Sequence, residues 1–196
     1  MRPLYTTSAV AGAFYAMVIV VWAVSEFVIF ARHIKVVGDR RDDRLSGPAL
    51  IGGLLVSLWV GGALGGVVPG AAITQGRPVL FALGIVLAIA GVGIRQYAIA
   101  TLGRFFSIRV TTRPDQTVVD TGLYRFVRHP SYSGTLLTVF GVLLCSTNWL
   151  TLACFVLALP GFAYRIRVEE AALAGALGQP YRDYMRRTKR LVPFLI

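Results

Sequence analysis

Apolar residues along this chain come in long runs, and most polar ones are gathered between them. Ala9 to Phe30 is the first run, interrupted only by Ser25 and Glu26, and its length suits a helix crossing a hydrocarbon core. Pro48 to Val68 is the second, and Pro78 to Ile94 the third, closing near Arg95. Thr135 to Thr147 and Trp149 to Tyr164 are shorter and are divided by Thr147-Asn148; with flanking residues they fit an antiparallel helical hairpin around a tight turn. The pattern predicts an all-α integral membrane protein with five transmembrane helices. Residues 1–94 form its three-helix membrane region, and residues 95–196 its cytoplasmic loop, hairpin and C-terminal helices. The first run has neither a basic stretch before it nor a small-residue cleavage site after it, so it is expected to be a retained span.

The polar positions refine this picture. Nothing in the sequence pairs with Glu26, so it is expected to sit at the membrane interface. Arg32 to Arg44, with its mixed run Gly38 to Arg44, is a solvated loop. Gly52, Gly53, Gly61, Gly62, Gly65 and Gly66 in the second run predict close helix packing. From Arg95 to Arg128 the pattern is irregular, with tandem Phe105-Phe106 and a Pro114-Asp115 turn signal. Irregular backbone is tolerated at membrane depth only where protein or water covers it, so this segment should lie at a surface, folded over a cofactor. The last run continues through Arg165-Ile166-Arg167-Val168-Glu169-Glu170 into a helical tail broken at Gly178-Gln179-Pro180.

Composition adds the orientation. The chain is 56% apolar and 15% charged, with a net charge of +11 and a mean hydropathy of +0.67. All of its 20 Lys and Arg residues except Arg2 and Arg77 fall on one side of the five-span plan, which sets that side, and the C-terminus, in the cytoplasm and the N-terminus outside. Cations confined to inter-helix segments are a topology signal, so no nucleic-acid partner is expected. Cys145 and Cys154 lie in apolar runs without metal-ligand spacing, and His33 and His129 alone make no metal site. A nucleophile with its base, a phosphate-binding loop and a dinucleotide-binding turn are also missing.

The chemistry gathers at Gly122 to Gly134, where Arg125, Arg128, His129, Tyr124 and Tyr132 flank Pro130. Proline is tolerated in a first turn, so a helix can start here with its positive end beside Arg128 and His129. Downstream, Glu169 and Glu170 offer carboxylates for a cation, and arginine can grip a carboxylate with two prongs. Simpler readings stand beside these. Arg125 and Arg128 can act as topology-setting cations, His129 as a cap, and Tyr181 and Tyr184 as interfacial anchors. Glu169 can pair with Arg165 along one helix face, and Arg186 to Arg190 can meet anionic headgroups.

Arg128-His129-Pro130-x-Tyr132-x-Gly134 is followed by an apolar hairpin, Arg165-x-Arg167-x-Glu169-Glu170-x-x-Leu173, Gly178-x-x-Tyr181-x-x-Tyr184 and Thr188-x-Arg190-Leu191-x-Pro193-Phe194. In this order the residues resemble the isoprenylcysteine carboxyl methyltransferase family of membrane enzymes, over about half the chain. The resemblance implies an S-adenosylmethionine pocket enclosed by the cytoplasmic ends of the last helices and the tail. A lipophilic or lipidated substrate would enter it from the bilayer. Arg128, His129, Pro130, Ser131, Tyr132 and Tyr124 would face the cofactor. Gln116, Thr117, Val118 and Val119, with Thr111, would line its other side, although many relatives carry histidine at the Gln116 position. Glu169 or Glu170 would hold the cofactor's amino group, and Arg165 or Arg167, the expected catalytic residues, would orient the acceptor, with Arg165 preferred for a carboxylate. Membrane sterol reductases share a similar histidine-proline-x-tyrosine segment and use a nicotinamide cofactor, and a non-enzymatic adaptor is the remaining alternative. Arginine-rich usage and the short five-span plan suggest a prokaryotic plasma membrane. The acceptor stays open.

Overall fold

In lipid, backbone N–H and C=O groups must be satisfied within the segment or by neighbouring protein, so long apolar runs fold as helices. The computed structural model describes residues 2–33 and 45–192. The charged run Gly38 to Arg44 and the closing Pro193-Phe194 lie outside the described residues. The helices are α1 (Leu4–Thr7), α2 (Ala9–His33), α3 (Ser46–Val67), α4 (Arg77–Leu102), α5 (Pro130–Leu144), α6 (Trp149–Ala153), α7 (Leu159–Leu177) and α8 (Gln179–Arg187). A 3-10 stretch, Cys154–Ala158, joins α6 to α7.

Among the described residues, four segments are long and apolar enough to cross a membrane: Ala9–His33, Ser46–Val67, Arg77–Phe105 and Trp149–Leu177. The expected fourth span falls short of that standard. α5 has 15 residues, about 22 Å of helical rise, against roughly 30 Å of hydrocarbon. It can be short because protein surrounds it, and most of its side chains are buried. α4 lies against it with almost no side-chain layer between. A Cβ on Gly91 would come within 2.5 Å of Gly134 O, and one on Gly84 within 2.7 Å of Gly141 O.

Two sequence expectations change here. Helix α4 does not close near Arg95 but runs on to Leu102 and ends at Gly103, whose φ of 54° suits a residue without a side chain. The glycines of α3 divide by face. Gly53, Gly61 and Gly65 meet the α6–α7 region, whereas Gly52, Gly62 and Gly66 have nothing within 4 Å.

At the opposite end of the bundle from the Arg128 stretch, Asn148 caps α6, accepting from the Leu150 and Thr151 N–H groups, and donates to Val68 O at 3.1 Å. Two apolar clusters fill the interior: Val18, Ala88 and Val142 against Trp22 and Leu58, and Leu136, Ala158 and Phe162 against Leu50 and Tyr132. Helix α2 is the most loosely packed span, with only Val18 and Ile29 buried. Its exposed Val10, Phe14, Val21 and Phe27 make the apolar outer face a lipid environment requires.

Candidate active site

The C-terminal end of α2, the start of α3, the end of α4, the start of α5 and the latter half of α7 converge at one end of the bundle. Pro130 opens α5 as expected, with His129 in the N-cap position but making no side-chain capping bond. The tail hooks onto this start through backbone bonds. Arg128 N–H donates to Lys189 O at 2.7 Å, His129 N–H to Arg190 O at 3.0 Å, and Lys189 N–H to Phe126 O at 3.2 Å. Ser133 Oγ adds a bond to Leu191 O at 2.6 Å.

Three polar groups are built on that frame. In the first, the Tyr132 hydroxyl donates to Glu169 Oε2 at 2.5 Å and accepts from Arg165 Nε at 3.1 Å. Arg165, buried, also donates to Ser46 Oγ at 3.0 Å and Ile108 O at 2.7 Å, joining α7 to α3 and to the irregular segment. The Tyr132 ring stacks on His129 and meets Phe162 edge-on.

The second group surrounds Glu170. Arg128 Nε donates to its Oε1 at 2.7 Å and Arg190 to its Oε2 at 3.0 Å, while His129 Nε2 lies 3.4 Å from Oε1. Arg128 also reaches the carbonyls of Met185 and Thr188, so one buried guanidinium ties α5, α7 and α8 together. The third group corrects an expectation. Glu26 has a partner: it takes Arg95 Nε at 2.5 Å and Nη2 at 2.8 Å, and Arg95 Nη1 donates to Ser131 Oγ at 2.8 Å. A lone acid and a lone arginine near the same ends of two apolar runs were the signal available in the sequence.

Between these groups lies a cavity of about 380 Å³. Thr111, Gln116, Thr117, Val118, Val119, Tyr124, Arg128, His129, Ser131, Tyr132, Arg165 and Glu169 all line it. Three expected residues do not: Pro130 is buried in the first turn of α5, Arg167 is exposed, and Glu170 is enclosed by its arginines. Glu26, Arg95, Phe162, Tyr181 and Tyr184 line the cavity as well. The two tyrosines are buried, not exposed like interfacial anchors, and Tyr184 O–H donates to Tyr124 O at 2.7 Å. Burial, and then the nearby Glu169 carboxylate, push the Tyr124 and Tyr181 phenols up from their ordinary range, so both stay neutral at physiological pH. Of the basic tail cluster, Arg187 pairs with Asp120 at 2.7 Å and Arg190 with Glu170, so these two cations have protein partners.

The model of the isoprenylcysteine carboxyl methyltransferase family matches residues 83–175, from within α4 to near the end of α7. That stretch is a little under half of this chain, and over it the chain resembles the family. Among curated proteins, a probable protein-S-isoprenylcysteine O-methyltransferase of Oryza sativa subsp. indica is 34% identical over 116 residues, covering 58% of this chain and 61% of its own length. The protein-S-isoprenylcysteine O-methyltransferase of Saccharomyces cerevisiae is 37% identical over 116 residues, 58% of this chain and 48% of its own. The matches thus span between about half and three fifths of these relatives. Among solved structures, the eukaryotic intramembrane Ras methyltransferase of the family, isoprenylcysteine carboxyl methyltransferase, superposes with a TM-score of 0.55 at 25% identity, over 75% of this chain and 51% of that one. These relatives are eukaryotic and give no support to the prokaryotic source expected from composition. The stretch shared with the family contains Arg95 and the residues from Arg128 to Glu170, whereas α2, α3 and α8 lie outside it.

Proposed function

We propose that this chain is an S-adenosylmethionine-dependent methyltransferase acting at the membrane on a lipophilic acceptor, with an isoprenylcysteine-like carboxylate as the first candidate. One observation carries the reading: a single cavity joins the family's motif residues to an apolar, lipid-facing rim. Phe30 of α2 and Ile51 of α3 both line the cavity, and they are 51% and 54% exposed. Lipid-tailed molecules can therefore reach the site from the side of the bundle without crossing water.

The lining suits the cofactor. Its volume falls within the range of about 300–1,000 Å³ usual for small-ligand pockets. Glu169 offers an anionic oxygen for an ammonium group, and the faces of Tyr124, His129 and Tyr132 suit a cationic centre or a flat base. The buried His129 Nε2 makes no well-aligned hydrogen bond among the described residues, its nearest polar neighbour being Glu170 Oε1 at 3.4 Å. When bound, the cofactor supplies a methyl group already activated on a sulfonium sulfur.

The remaining work belongs to the chain's own side chains. Glu169, oriented by the Tyr132 hydroxyl, is assigned to the cofactor's amino group. Glu170, held by Arg128 and Arg190, is assigned to bracing the α5 start against the tail. Arg165 lines the cavity and Arg167 does not, so Arg165 is assigned to orienting the acceptor's anion, its plane set by Tyr132, Ser46 and Ile108. Phe106, Ile108, Val110 and Phe162 keep water from the lining, so that opposed charges meet in a medium of low dielectric. With α5 counted as a protein-enclosed fifth crossing and the basic residues inside, this end of the bundle faces the cytoplasm.

The direct test is transfer of a labelled methyl group from S-adenosylmethionine to a lipid extract and to N-acetyl-S-farnesylcysteine. Label in either product supports the reading. Cofactor-dependent reduction of a sterol by NADPH, without methyl transfer, would replace it with the reductase alternative.

A further inference from the structure

Glu26 lies in α2, outside the stretch shared with the family, and the proposed function gives it no task. Its carboxylate takes two N–H groups of Arg95, whose third bond reaches Ser131 in the first turn of α5. Arg95 is fixed from behind: a Cβ on Gly134 would come within 2.7 Å of Arg95 N, so its backbone sits in the tight α4–α5 contact. Helix α2 has no such hold. Besides this ion pair, a hydrogen bond from Gln96 to Ser25 ties it to α4.

Both members of the pair line the cavity in the company of Trp22, Ile29, Phe30 and Leu50, the part of the wall nearest the apolar rim. Arg95 is 14% exposed and Glu26 36%. If the pair only fastened two helices, an apolar contact would do so without removing two charges from water. What an ion pair adds is cancellation of charge. An uncancelled guanidinium in this wall would draw anionic head groups into the lobe that the lipid chain should fill, and away from Arg165.

We propose that Glu26 is a specificity-determining residue: by neutralising Arg95 it leaves the lobe between α2 and α3 to an uncharged lipid chain and sends the anionic head toward Arg165. This rests on the reading of the cavity as the site of a lipophilic acceptor. It needs neither turnover nor bound cofactor to be tested.

The experiment is equilibrium binding of labelled hexadecanoate and hexadecanol to the purified full chain in a non-ionic detergent. Glu26→Gln is expected to tighten hexadecanoate about tenfold relative to hexadecanol, the size of effect one uncompensated charge has in a half-buried site. Arg95→Gln leaves a bare carboxylate in the same wall and should shift the ratio in the opposite direction by a similar factor. The double variant should return it to the wild-type value. Each single variant carries the test if the other does not fold. A ratio unmoved in the folded variants, or both probes weakened alike as loss of a mere helix clamp would give, overturns the proposal. Failure to bind S-adenosylmethionine would count against the proposed function and leave this ratio untouched.

Discussion

Side chains one position apart have different surroundings here, and the difference assigns them different tasks. Glu169 faces the cavity through Tyr132, whereas Glu170 lies between Arg128 and Arg190. Glu169→Gln should weaken S-adenosylmethionine binding about tenfold, since a charge-assisted bond becomes a neutral one, while the unfolding temperature stays near wild type. Glu170→Gln should leave Arg128 without its buried counter-charge and cost about 3 kcal/mol of stability, read as earlier thermal unfolding in detergent. Reversal of these two outcomes would exchange the roles. The sequence showed both carboxylates and both arginines of the α7 motif but not which of each pair points inward. A helix turns about 100° per residue, so that choice depends on packing against α3 and α5, which local pattern does not encode. The role of Glu26 was hidden for the same reason. Its partner is distant in the chain, on a helix whose own pattern is simply apolar.

Helices were the most legible level, because a long apolar run has few alternatives in lipid. Every expected span has a helical counterpart. Their ends shifted where polar residues were taken for stops, as at Arg95, which continues α4 because Glu26 satisfies it. The expectation that glycines pack α3 closely holds for one face only. The closest approach is between α4 and α5, where a substituent would meet backbone carbonyls as well as the Thr138 and Cys145 side chains. Gly91→Leu should therefore prevent accumulation of folded protein. Gly62→Ala, on a face with nothing within 4 Å, should stay within about 0.5 kcal/mol of wild type in the same unfolding assay.

At the scale of the molecule, two halves of unequal character meet at the cavity. The stretch shared with the family supplies Arg128 to Tyr132 and Arg165 to Glu169, held in register by α4–α5 contact and by the tail bonded along residues 126 to 133. The first two spans, whose sequence promised only hydrophobicity, supply the wall: Trp22, Glu26, Ile29 and Phe30 from α2, Leu50, Ile51 and Leu54 from α3. A pocket assembled from six separate helices could not be read from any one segment, although the motif marked where it would form. Binding calorimetry on the purified chain tests the assembly most directly, with S-adenosylmethionine and NADPH titrated in parallel. The account predicts one S-adenosylmethionine site per chain, weakened by Glu169→Gln and retained in Arg167→Ala, with no heat from NADPH. Saturable binding of NADPH, or an S-adenosylmethionine site indifferent to Glu169, would contradict it.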